Sequence, residues 1–257
     1  MTDSRSLALI TFFYYCFCMN SPIENALYLI PSLLGETDAE QVLPSYNHDI
    51  VVQIKYFIVE NVRSARRFLK KVDKDIDIGT LTFYELSEHT DVTEIGNYLD
   101  PLKNGSAMGV ISEAGCPAVA DPGAAVVAIA QKQNLRVIPL VGPSSIIMAV
   151  MGSGFNGQSF AFNGYLPVKP AERAQKLKQL ESRVYKENQT QLFIETPYRN
   201  AKMIETILSA LRPETKLCIA AGITCPEEYI HTRTVAQWKK TALPSLNKVP
   251  AIFLLYK

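Results

Sequence analysis

The sequence has almost no excess charge. Twenty-six Lys and Arg stand against 25 Asp and Glu, leaving +1 at neutral pH, so no bulk field draws the chain to nucleic acid and only a local basic face could. It also has few of the residues that make metal or disulfide frameworks. The five cysteines (Cys16, Cys18, Cys116, Cys218 and Cys225) are odd in number and irregularly spaced, without a C-x-x-C pair or an H-E-x-x-H run. That pattern argues against structural zinc or stapling disulfides and for a reducing, cytoplasmic setting. No metal is expected. Only three histidines occur (His48, His89 and His231), and no G-x-S-x-G or G-x-x-x-x-G-K-[ST] motif accompanies them. Nucleophilic hydrolase chemistry and a phosphate loop are thereby disfavoured.

Long apolar runs are scarce too. The longest, LALITFFYYCFCM from Leu7 to Met19, has thirteen residues, short of the roughly 20 that a membrane span needs. It lacks an A-x-A-like cleavage site and follows a single Arg5, so it makes a poor signal segment. Residues 1–22 read as an N-terminal extension, and the preferred reading is a start at Met19, the first 18 residues coming from an upstream start choice. A docking strand or helix and a signal segment are the alternatives.

What remains is an alternation of short β-rich runs and helical segments, the pattern of α/β sheet proteins. Strands are expected at 26–31, 56–61, 78–86, 107–112 and 136–141, and helices at 64–72, 91–102, 124–133 and 144–154. Asp91 sits three residues before Glu94, a capping-box-like start. AAVVAIAQKQ reads as a buried helix. A composition change at 152–158 marks a boundary between an N-terminal α/β domain, 23–156, and a C-terminal one, 159–257. The second half repeats the alternation with strands at 159–167, 190–196, 216–223, 227–235 and 250–257. GSGFNG (152–157) matches G-x-G-x-x-G, but it closes a helix instead of opening one, so it reads as a cap or linker. The basic runs RRFLKK (66–71) and KPAERAQKLK (169–178) read as solvated helix faces, with nucleic-acid contact as the alternative.

The stretch SEAGCPAVADPG (112–123) asks for more than a connector. It leaves the carboxyl end of a strand, where open α/β sheets place ligands. Asp121 and Pro122 suffice as cap and first-turn proline of the next helix. EAGCPA is harder to explain that way: Gly115 can adopt backbone angles closed to other residues, Pro117 fixes the next turn, and small neighbours let a ligand reach the main chain. A second Gly-Pro turn follows in LVGPSS (140–145), and the two together suggest a small-molecule pocket.

These blocks, with RVIPLVGPSSIIMAVMGSGF, FNGYLP and LFIETPYRN in the same order and spacing, resemble the tetrapyrrole methylase-like family of class III S-adenosylmethionine (SAM)-dependent methyltransferases. The most similar branch is that of the bacterial 16S rRNA cytidine 2′-O-ribose methyltransferases, with D-A-G-T-P-x-x-x-D-P-G, P-G-P, G-F-L-P and Y-E-S-x-H-R blocks. The resemblance covers about residues 26–257. It implies two α/β domains with SAM in the cleft between them, a cytoplasmic homodimer without a membrane segment, and RNA as substrate.

Residue by residue, the resemblance places Gly115, Cys116 and Val119 at the cofactor, mostly through backbone atoms. Ser144 and Ser145 fall on a second contacting stretch, Glu195 at the end of a C-domain strand, and Ala220, Pro250 and Ala251 on the adenine side. Pro31 falls in the turn after the first strand. Glu60, Arg63 and Arg199 are the charged candidates for catalysis. A ribose hydroxyl acceptor would profit from a base or from cations that stabilise developing alkoxide.

The departures lie mostly in the substrate half. VENVR (59–63) keeps Glu60 and Arg63 of an A-E-D-T-R block, and AAGITCPEE (220–228) loses an Arg-Glu pair. Two alternatives therefore stand beside RNA methylation: a methyltransferase for a tetrapyrrole or other small molecule, and a SAM-binding protein with little catalysis.

Overall fold

The computed structural model describes residues 22–86, 90 and 92–257. The apolar run at Leu7–Met19, Cys16, Cys18, His89 and the Asp91 cap lie outside the described residues. The chain divides into two units. The first holds residues up to Ser32 and Asp38–Gly142, and the second holds Leu33–Thr37 and Pro143–Lys257.

The first unit is built on β1 (Leu27–Ile30), β2 (Tyr56–Val59), β3 (Thr82–Glu85), β4 (Met108–Ile111) and β5 (Val137–Pro139). They form a parallel sheet in the order β3-β2-β4-β1-β5. LYLI and MGVI are buried along their whole length, as strands covered on both faces must be. Alternate residues separate by face: Leu27, Leu29, Ile58 and Val110 join one core with Leu99, Val126 and Ala130. The other face is packed so closely that a Cβ on Gly109 would lie 2.6 Å from Ile30 Cδ1.

Between β1 and β2 the chain forms two short helices, α1 (Ala39–Val42) and α2 (Ser45–Val51). After β2 comes α3 (Val62–Val72), two residues longer at its start than expected. Asn61 caps it, its side chain accepting from the N–H groups of Arg63 and Ser64. The third strand is shorter than its sequence run because Asp77 first caps a 3-10 turn at Ile78–Thr80. The expected helix 91–102 is two pieces, α4 (Val92–Tyr98) and α5 (Asp100–Lys103), the second with proline in its first turn. The helix α6 (Gly123–Lys132) departs from the buried reading: only Gly123, Val126 and Ala130 are buried, and Ala124, Ala125 and Ala128 face outward.

The second unit begins with α7 (Ser145–Ser153), ended by Gly154 in the left-handed conformation, so GSGFNG is a helix terminus. Its strands are β6 (Phe160–Tyr165), β7 (Thr190–Glu195), β8 (Lys216–Ala221), β9 (Tyr229–Thr234) and β10 (Ala251–Tyr256), in the order β6-β7-β10-β8-β9. Only β6 and β7 run parallel. The helix α7 covers one face through Ala149 and Val150, against Leu192, Cys218, Ala220 and Ile252. The other face packs α8 (Pro170–Glu187), α9 (Asn200–Ala210) and α10 (Val235–Trp238) around Phe193 and Phe253. Because α7 packs on this sheet, the units part at Gly142–Pro143, upstream of the composition change.

Candidate functional site

In the first unit the turns after β1, β2, β4 and β5 gather at the carboxyl edge of the parallel sheet. The 112–121 loop is the most constrained of them. Gly115 has φ +74°, and two alanines also adopt left-handed backbone, Ala118 at +65° and Ala120 at +60°. For alanine this conformation costs roughly 1–2 kcal/mol each, so something must hold it. Asp121 supplies the hold. Its Oδ1 accepts from Ala118 N–H (2.8 Å) and from Gly123 N–H (2.7 Å). Asp121 therefore ties the loop back on itself as well as serving the start of α6, whose cap position is Pro122, one residue later than the sequence suggests.

The loop is anchored at its base too. The Gly115 carbonyl accepts from Ser32 N–H (2.9 Å) and Ser112 Oγ (3.1 Å). Glu113 N–H donates to Glu60 Oε1 (3.1 Å), and Ser64 Oγ donates to Glu113 Oε1 (2.6 Å). With these groups turned inward, Val119 stands out at the tip, half exposed, beside exposed Ala120. Burial pushes the Cys116 thiol above its ordinary value, so it is neutral at physiological pH. Burial also raises Asp121 against the lowering pull of its two N–H bonds, and its Oδ2 is buried without a partner among the described residues.

Pro31 is buried, and a Cβ on Gly142 would lie 2.3 Å from its own, so the turns after β1 and β5 meet at glycine distance. Asn47 of α2 fixes the second turn, donating to the Val141 carbonyl (2.8 Å).

The sheet register of the second unit collects the other candidates. Glu195, Ala251 and Ala221 stand in one row across β7, β10 and β8. Pro250 precedes that row, exposed, with its carbonyl accepting from Gly222 N–H. Ala220 is one position away and wholly buried beneath α7, so its methyl is a packing group. Glu195 is the polar centre of the edge: Oε1 accepts from Thr196 N–H (2.7 Å) and from Arg199 Nε and Nη2 (2.9 and 2.6 Å). Its Oε2 is buried without a partner among the described residues. Ser144 caps α7, its Oγ accepting from Ile147 N–H, and Ser145 is the first helical residue.

Among the three charged candidates, Glu60 holds the loop entry and Arg199 is bound to Glu195. Arg63 is exposed and makes no side-chain bond or ion pair among the described residues. Sequence reasoning missed Ser32, Ser64, Glu113 and the second role of Asp121. Only Asp121 left a signal, since Asp favours bonds to backbone N–H groups a few residues away. Among the described residues no group of three or more His, Cys, Asp or Glu could hold a metal, and no helix is long and apolar enough to cross a membrane.

The fold is shared with solved structures. The methyltransferase CobJ superposes with a TM-score of 0.59 over 90% of this chain and 94% of its own, at 14% identity. A cobalamin biosynthetic enzyme, cobalt precorrin-4 methyltransferase (CbiF), gives 0.55 over 92% and 98%, also at 14%. At that identity the likeness shows the fold, two α/β units of the tetrapyrrole methylase type. No protein-family model matches the chain.

Sequence relatives carry more. The ribosomal RNA small subunit methyltransferase I of Mesorhizobium japonicum is 30% identical over 214 residues, 83% of this chain and 69% of that protein. The protein of the same name from Buchnera aphidicola is 31% identical over 221 residues, 83% and 72%. By identity and by extent of match, the chain belongs to the ribosomal RNA small subunit methyltransferase I family.

Proposed function

We propose that the protein transfers a methyl group from SAM to a ribose 2′-hydroxyl of small-subunit ribosomal RNA, acting in the cytoplasm as a homodimer. The observation that carries the cofactor part is the 112–121 loop. At the carboxyl edge of β4, left-handed Ala118 and Ala120 lie in a turn closed by Asp121, and left-handed Gly115 is anchored by Ser32 and Ser112. A loop kept in so costly a backbone is shaped for something that approaches its main chain. The names of the relatives support the RNA part.

SAM, when bound, brings an activated methyl, so the protein has chiefly to hold and orient. In the first unit, the exposed tip at Val119 and Ala120 offers the cofactor an apolar surface beside Cys116. The neutral Cys116 thiol presents no thiolate to compete for the methyl. In the second unit, Ser144, Ser145, Glu195, Pro250 and Ala251 are the proposed cofactor contacts, with Ala220 behind them as packing.

For the acceptor, Arg63 is the strongest of the three charged candidates because its guanidinium is uncommitted. It suits a phosphate of the substrate or charge developing on the attacking oxygen.

Titration calorimetry with SAM tests the cofactor half: no heat at millimolar cofactor would remove the reading. Ribose-methylation mapping of small-subunit rRNA from a deletion strain tests the acceptor, and an unchanged map points instead to another substrate. Sedimentation at twice the mass of the chain is expected for the homodimer.

A further inference from the structure

Resting on the rRNA reading, we propose that the outer face of α3 is a docking surface for the phosphate backbone of the RNA substrate. In α3, Ala65, Phe68 and Leu69 are buried, and Arg63, Arg66, Arg67, Lys70 and Lys71 are all exposed. At roughly 100° per residue these cations fall in the order Arg66, Lys70, Arg63, Arg67, Lys71 across a continuous arc of about 140°, turned away from the buried side. No acidic residue interrupts the helix.

Three pairs of like charge stand at i,i+4: Arg63 with Arg67, Arg66 with Lys70, and Arg67 with Lys71. Such pairs repel. The fold does little to relieve the first two. Arg66 lies over the Phe83 ring, Lys70 donates to the Lys74 carbonyl, and no ion pair joins Arg63, Arg66, Arg67 or Lys70 to a carboxylate among the described residues.

The longer α8 shows the ordinary arrangement for this chain. Its Lys and Arg residues are interspersed with Glu172, Glu181 and Glu187, and ion pairs link Glu172 to Lys169 and Glu181 to Arg212. In a protein of net charge +1, a helix face carrying only cations is a local field suited to a polyanion.

Position selects RNA. The helix leaves the carboxyl end of β2, and Ser64 in its first turn bonds Glu113 of the 112–121 loop. The cationic arc therefore starts within the first unit at the edge that bears the proposed cofactor loop. The apolar side of α3 is spent on the core, leaving nothing to insert into lipid as a membrane-surface helix would.

The test is filter binding of in vitro transcribed small-subunit rRNA from about 50 to 200 mM salt. Wild type is compared with Arg66→Gln/Arg67→Gln/Lys70→Gln, and with Lys178→Gln/Arg183→Gln/Lys186→Gln on α8 as a control of equal charge change. Glutamine favours helix and removes repulsion, so α3 should stay folded; circular dichroism and an unchanged SAM affinity verify this.

Three lost phosphate contacts should weaken binding at least tenfold at low salt and flatten the salt slope by about 2, with the α8 control near wild type. Equal effects of the two triple variants, no effect of the α3 variant, tighter binding to anionic vesicles than to RNA, or no binding of wild type to rRNA would each overturn the proposal. Wild-type methylation of the same RNA with labelled SAM is scored separately. Its absence alongside α3-dependent binding would sink the reaction and leave the surface standing.

Discussion

The carboxyl edge of the first unit and the corresponding edge of the second achieve rigidity by different chemistry. In the first, the main chain is the working surface: Gly115, Ala118 and Ala120 take left-handed backbone, and side chains of Ser112, Glu60 and Asp121 serve to hold it. In the second, a charged side chain is the centre. Glu195 is buried at the end of β7 and held by the fork of Arg199. A backbone-built edge can accommodate change in a side chain that points outward, such as Val119 at its exposed tip. An edge built on a buried ion pair depends on both partners.

Breaking that pair should have the largest effect. Arg199→Ala leaves the Glu195 carboxylate buried with only the Thr196 N–H, and should cost about 3 kcal/mol of stability. The reciprocal Glu195→Ala should cost less, because Arg199 keeps a third of its side chain in water. Urea melts of both variants measure the difference; equal losses would mean that the edge does not depend on the buried carboxylate.

On the first unit the largest loss should come from close packing. In Gly142→Ala the new methyl would lie 2.3 Å from Pro31 Cβ and 3.2 Å from Leu43 Cδ2, forcing the turns after β1 and β5 apart. Overpacking of this kind costs about 1–3 kcal/mol. SAM affinity should fall with it, and a variant that loses stability while binding SAM as wild type would remove this turn from the site.

Much of this was legible in the chain. The buried parallel strands announce themselves as LYLI and MGVI, and the glycine and prolines of SEAGCPAVADPG mark where a ligand could approach. What was not legible has physical causes. Alanine has no preference for left-handed backbone, so nothing in A-V-A predicts Ala118 and Ala120; Asp121 imposes them through bonds formed only in the folded loop. The start of α3 at Val62 was hidden because Asn61, a good cap, sits between a strand and a β-branched residue that favours strands. The row of Glu195, Ala251 and Ala221 depends on strand register, which local sequence does not fix.

The left-handed positions allow a sharper contrast. Gly115→Val places a β-branched residue at φ +74°, which should cost about 1–2 kcal/mol and weaken SAM binding through the backbone, independently of any room for the side chain. Ala118→Gly should do the reverse to stability. Relief of the left-handed strain outweighs the added freedom of the unfolded chain, for a net gain of up to about 1 kcal/mol. If SAM requires the loop held in place, the same variant should bind it more weakly. Paired thermal melts and calorimetry read both signs, and a destabilised Ala118→Gly would mean that the conformation carries no strain.

The smallest effect concerns the charge on Asp121. Its carboxyl titrates above the ordinary 3.8 because burial outweighs the two N–H bonds it accepts. The native protein thus holds that proton more tightly than the unfolded chain does. The associated stability is complete below about pH 3.8 and is lost as pH rises through the folded-state value. Asp121→Asn keeps an oxygen for Ala118 and Gly123 N–H but does not ionise. Its stability relative to wild type should therefore rise as pH climbs from about 3.8 through the folded-state value, then level off once Asp121 is fully charged. Urea melts across that range measure the slope. A gap that narrows with rising pH would show that the charged hydrogen bonds outweigh burial, making the anion itself the better hold on the loop.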